Sequence, residues 1–165
     1  LFVREGPHPF GRATFNPRQS LAVFTDRPLL LANIGYFGHM WELYAMWAWF
    51  LAFAAAAEAG VHPFPLGSPS MLLWGVTVIG DSAQFSAAVT ELADSAFVGT
   101  ALALQMGIGF GLTVVSIWAL PVFAQWIGGW QWAFLFLVPG PVVGTWAMLT
   151  LRGRPEAQKL AGGAR

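Results

Sequence analysis

The chain reads as four long apolar runs separated by short stretches of glycine, proline and charge. The runs cover residues 29–57, 70–92, 96–125 and 130–151. Each holds about 20 or more mainly apolar residues, the length an α-helix needs to cross a hydrocarbon core of about 30 Å. The first is long for that thickness, so tilt or overhang is expected. The pattern predicts an all-α integral membrane bundle of four transmembrane helices.

Turn chemistry sets the boundaries. Residues 1–28 hold Gly6, Pro7, Pro9, Gly11 and Pro17 and read as a linker, with a short amphipathic segment at 20–24 suited to a membrane surface. Asp26 is placed to cap the first span, and Pro28 suits its first turn. Glu58 marks the exit of that span, and GVHPFPLGSP at 60–69 forms an external loop. Asp94 is placed to cap the third span. Pro121 is expected to kink or end its outer part, and Trp126-Ile-Gly-Gly-Trp130 to form a tight turn. Span four contains Pro139 and Pro141, which a membrane helix tolerates when neighbours satisfy the freed carbonyls. The tail, 152–165, is expected to be disordered. Gly35 with Gly38, Gly107 with Gly111, and Gly140 with Gly144 mark places where helices approach closely.

Composition sharpens this picture. Of the 165 residues, 56% are hydrophobic and 10% charged, against about 25% charged in a soluble domain. Nine Trp and fourteen Phe suit interfacial belts and lipid-facing surfaces. The absence of cysteine excludes a disulfide frame and a thiolate metal site. A net charge of zero argues against a nucleic-acid partner. All eight basic residues lie at the ends: Arg4, Arg12, Arg18, Arg27, then Arg152, Arg154, Lys159, Arg165. The positive-inside rule then places both termini in the cytoplasm of a plasma (cell inner) membrane protein, with an even number of crossings. The four N-terminal arginines favour anionic lipid headgroups. The sequence opens at Leu1 with no initiator Met, so a true N-terminus upstream is expected, and it shows no basic region and apolar core of a signal peptide.

Candidate chemistry follows from depth. Glu42 sits mid-span with about a dozen mostly apolar residues on either side, and His39, three residues earlier, shares its helix face. The pair reads either as a proton- or substrate-binding unit or as a packing contact between helices. Asp81 is a second intramembrane carboxylate, with Thr77 and Gln84 on its face and Ser82 and Ser86 beside it. It too has a plain alternative, a hydrogen-bonded interhelical contact. Glu91 and Asp94 are expected to be solvated, and Gln105, Leu112 and Ser116 to share a face of span three. An enzyme is not expected: there is no Cys, no Ser-His-Asp spacing and no His pair at ligand spacing. His8, His39 and His62 fall in three compartments. Neither a metal nor a cofactor is expected.

The run NIGYFGHMWELYAMWAW, 33–49, resembles the first helix of the second half of a major facilitator superfamily (MFS) transporter. GDSAQFSAAVTELADSAFVGTALALQMGIGF, 80–110, resembles the tenth helix, the next cytoplasmic loop and the eleventh helix. WQWAFLFLVPGPVVGTWAMLTLR, 130–152, is similar to the twelfth, and residues 1–27 resemble the end of the linker between the two halves. The likeness covers nearly all of 29–151. It implies a partial C-terminal half that lacks counterparts of the eighth and ninth helices between Ala57 and Ser70. The function so implied is proton-coupled transport of a small solute by alternating access. On that reading Glu42 is the proton-coupling candidate and His39 tunes it. Asp81 and Gln84 line the cavity, and Tyr36, Trp41 and Gln105 contact substrate. The implied partners are the lipid bilayer, protons, a small-molecule substrate, and a missing N-terminal half or further copies of the chain. Two other readings fit four helices: a dimeric exporter of the small multidrug type, and a non-transporting membrane interaction subunit.

Overall fold

A computed structural model describes residues 22–56 and 82–163. Among these every regular element is helical and no strand occurs. A single turn, Ala22–Thr25, precedes α1, Arg27–Ala56. Then come α2, Ser82–Leu92, and α3, Val98–Trp126. A 3-10 segment, Trp130–Phe136, leads into α4, Pro139–Arg152, and a second 3-10 segment, Pro155–Gly163, closes the chain. The expected loop at 60–69, with Glu58 and His62, lies outside the described residues. So do Asp81, Thr77, most of the linker and the first half of span two.

Local sequence explains the helix ends. Asp26 accepts the Leu29 N–H on Oδ1 at 3.2 Å, the expected N-cap of α1. Asp94 acts one step earlier than expected. It accepts the Ala96 N–H at 3.0 Å and so builds a turn before α3, whose own N-cap, Phe97, has no side-chain bond. Gly128 and Gly129 take φ of 91° and 150°, and so allow the tight turn after α3. Span four differs from a continuous helix. Pro139 and Pro141 occupy the first turn of α4, where a missing N–H costs nothing, and the chain before them is 3-10.

The core is built around α1. On one side Gly35 and Gly38 meet Gly144 and Gly140 of α4, so that the two backbones touch. Trp41 extends this antiparallel seam by donating its indole N–H to the Phe136 carbonyl at 3.2 Å. On the other side α3 runs parallel to α1: Gly109 faces Tyr36, the Thr113 hydroxyl donates to the Met40 carbonyl at 3.3 Å, and the Trp49 indole donates to the Ile117 carbonyl at 2.8 Å. The start of α1, the α2–α3 turn and the end of α4 therefore lie at one end of the bundle.

Three expectations are corrected here. Pro121 does not end α3, which continues to Trp126. Ile117 is the carbonyl its ring deprives of an i+4 donor, and the Trp49 indole fills that position. Gly107 and Gly111 face open space, and the close approach of α3 falls on Gly109 instead. The buried stripe of α3 is Ala101, Gln105, Gly109, Thr113, Ser116, Leu120 and Ala124. Its steps of three and four leave Leu112 half-buried. The described part of the tail, to Gly163, packs on the bundle instead of being disordered. Ala157 is buried, Leu160 packs against the cluster of Leu29, Leu92 and Leu151, and the Ala161 N–H donates to Glu91 Oε2 at 2.8 Å.

The bundle carries large apolar side chains on the outside of α3 and α4, and its core mixes leucine, alanine and glycine with a few polar residues. Trp118 and Trp126 are 76% and 81% exposed, and Val114, Val122, Val142, Trp146 and Leu149 are exposed with them. Two described helical stretches, Val98–Trp126 and Trp132–Arg152, are long and apolar enough to cross a membrane. The 30 residues of α1 span about 45 Å, but Asn33, His39 and Glu42 make α1 more polar than those two. The expectation of four spans is thus met in part, by two.

Candidate functional site: a polar seam at the middle of the central helix

The candidate residues of α1 fall on several of its faces. Tyr36 is buried against Gly109 and meets Phe85 of α2 edge-on, with ring centroids 6.4 Å apart. His39 is buried one turn on, its ring centroid 5.6 Å from that of Phe85. Glu42 is half-buried and engaged with a neighbour. Gln105 of α3 is fully buried, and the Ser86 hydroxyl donates to its Oε1 at 3.5 Å.

Phe85 thus gathers Tyr36 and His39 at the α1–α2 contact, and Ser86 beside it reaches Gln105. Trp41 lies apart from them, on the α4 side of α1, where its ring tilts over Phe136 at 5.0 Å. Gln84 is exposed, turned away from the bundle interior. Asp81 lies outside the described residues.

Two interior polar residues belong to this seam although the sequence reading passed over them. Asn33 is fully buried; its Nδ2 donates to the Leu29 carbonyl at 2.8 Å, and its Oδ1 has no partner. Thr113 is buried, its hydroxyl near both the Met40 and the Gly109 carbonyl, the latter at 3.0 Å. Their signal was available as polar residues on the stripes that carry Tyr36 and Gln105: Asn33 is three before Tyr36, and Thr113 eight after Gln105. The Gln105 Nε2 also lacks a partner. The register that sets Gly109 beside Tyr36 sets Gln105 one turn back, at the level of Asn33. The seam thus holds one unmatched acceptor and one unmatched donor, each with a substantial desolvation cost.

Chemically, the seam offers neutral hydrogen-bonding groups, an imidazole and a carboxylate. From Pro28 to Leu151 there is no Lys or Arg, so histidine is the one side chain of that stretch able to become a cation. The class of protein this defines is, over the described residues, an all-helical bundle with two helices long and apolar enough to cross a membrane and several polar groups within its core. No family profile, no curated protein and no solved structure matches the chain.

Proposed function

We propose that this chain is part of a proton-coupled secondary transporter that moves a small solute across the plasma (cell inner) membrane, with both termini cytoplasmic. The observation that carries this reading is a large-apolar exterior on α3 and α4 combined with polar groups buried in the core. Large apolar residues cover the outside of α3 and α4, while Asn33, His39, Gln105, Thr113 and Ser116 lie buried inside. Lipid favours such an exterior, and the glycine and polar contacts between α1, α3 and α4 suit helix association in a bilayer. The MFS resemblance supports transport as the function, and the chemistry and depth of the residues suggest their roles. Glu42 takes up and releases the proton, His39 adjusts its affinity, and Tyr36 and Gln105 contact the solute.

The outward face of α2 supports a further bundle as partner. Ala83, Gln84, Ala87 and Thr90 are exposed there, small or polar where α3 and α4 are large and apolar. Such a face fits helix contact better than lipid, in keeping with a missing N-terminal half or a second copy.

The transport test uses everted vesicles containing the full chain and an imposed pH gradient, followed with a fluorescent amine while small organic cations and anions are added. At least one solute should collapse the gradient through the wild-type chain, and Glu42→Gln should reduce that response to the level of empty vesicles. Silence of the wild type across the panel, or an unchanged Glu42→Gln response, removes the proposal. Topology is tested separately, and the lack of native cysteine makes single-cysteine labelling direct. Cysteines at Ala96 and Gln158 should label from the cytoplasm, and one at Gly128 from outside. Labelling of Ala96 and Gly128 from the same side overturns the crossing of α3.

A further inference from the structure

At the end of the bundle where α1 begins and α2 stops, a pocket of about 150 Å³ is lined by Asp26, Arg27, Pro28, Leu92, Glu156 and Lys159. Its charges come as two opposed pairs. Asp26 and Arg27 open α1. Glu156 and Lys159 come from the 3-10 tail segment, where three residues make one turn and side chains at i and i+3 share an edge. The neighbouring edge, Ala157 and Leu160, packs into the core and holds the charged edge over the pocket. Glu156 keeps a buried Oε2 with no hydrogen-bond partner. The pocket therefore presents two carboxylates and two cations within one small volume, with Pro28 and Leu92 as apolar wall.

We infer that this pocket binds a zwitterion carrying a phosphate and a primary ammonium, the headgroup of a phosphatidylethanolamine. Arg27 and Lys159 take the phosphate oxygens in charge-assisted bonds, and Asp26 and Glu156 accept N–H bonds from the ammonium. The assignment to a lipid rests on the membrane reading above, because the end of a spanning helix lies at headgroup depth. It is independent of transport. A choline headgroup has no N–H to donate, and a glycerol headgroup has no cation, so both fit less well.

The test is thermal unfolding of the full chain in detergent micelles doped with one phospholipid, followed by tryptophan fluorescence. Micelles remove the lateral-pressure differences that distinguish bilayers of these lipids. Phosphatidylethanolamine should raise the midpoint by several degrees over phosphatidylcholine and phosphatidylglycerol. The double variant Glu156→Gln, Lys159→Gln should lose that preference while unfolding like the wild type in undoped micelles. If the double variant is unstable in undoped micelles, Arg27→Gln alone serves, with the same expected loss. Equal midpoints in all three lipids, or a preference that survives these substitutions, overturns the proposal. Soluble glycerophosphoethanolamine is the second probe. No shift with it supports the lipid as source, whereas a shift equal to that of the lipid overturns the lipid assignment in favour of a free zwitterion. Failure here leaves the Glu42 assay untouched, and failure there leaves this one intact.

Discussion

Gly38→Leu is expected to prevent α1 and α4 from packing, and with them the bundle. A Cβ at position 38 would overlap the Gly140 carbonyl oxygen and lie 3.1 Å from the Gly144 Cα. Both obstacles are backbone, so no rotamer change relieves them. The helices must separate, which opens the Gly35–Gly144 contact and the Trp41–Phe136 bond as well. Overpacking costs of this kind run to about 3 kcal/mol, and more when the backbone must move. Against a total stability of about 5–15 kcal/mol, that is a large fraction. The measurement is denaturant unfolding of the purified chain by tryptophan fluorescence, with Gly107→Ala and Gly111→Ala beside it. The latter pair should be neutral or stabilising by up to about 1 kcal/mol, since alanine suits a helix interior better than glycine and both positions face open space. A stable Gly38→Leu variant would show that the glycine seam does not hold the bundle together.

Trp49→Phe is expected to lower stability by about 1–3 kcal/mol, the cost of leaving a buried polar group without its partner. The ring remains, so packing against Trp130 at 5.3 Å is largely preserved, and only the indole N–H is lost. The Ile117 carbonyl is then left without a donor, because the residue four further on is Pro121. Restoring a backbone N–H there should remove the dependence. In a Pro121→Ala background the same Trp49→Phe change should cost much less. The double-mutant cycle measures that difference directly. Additive effects would mean that the indole and the proline do not share the Ile117 carbonyl.

How much was legible beforehand differs from residue to residue. The Asp26 cap and the Trp126–Trp130 turn depend on chain geometry within a few residues, and sequence spacing carries that information; the Gly35–Gly38 and Gly140–Gly144 spacings mark faces able to approach closely but not that these two faces meet each other. The choice of Gly109 over Gly107 and Gly111 depends on how α3 is rotated against Tyr36. A glycine pattern alone cannot fix that rotation, although the stripe running through Gln105, Thr113 and Ser116 does. Pro121 was read by its local effect on a helix, whereas the group that cancels this effect lies on α1. The tail was read from its polarity. Two small apolar contacts, Ala157 and Leu160, were enough to order it because α4 delivers it beside an open cluster. Of the candidate site, Tyr36, His39 and Gln105 proved interior, while Trp41 serves the α4 seam and Gln84 points outward. The difference is one of helix face, which depends on partners that a single sequence does not identify.

The central position of α1 has a consequence for how the protein is made. It leaves the ribosome before α3 and α4, yet its polar residues deny it the hydropathy of those later helices. A carboxylate at mid-membrane costs an isolated helix about 2.5–3.5 kcal/mol on insertion scales. The surfaces that receive Gly38, Trp41, Tyr36 and Trp49 are synthesised some 70 to 100 residues later, a separation read from the positions of Gly109, Ile117, Phe136 and Gly140. On the membrane reading, α1 must therefore be held in or beside the insertion machinery until its partners arrive. Truncations that end before Trp126 should then leave a first helix that is inefficiently inserted and quickly degraded.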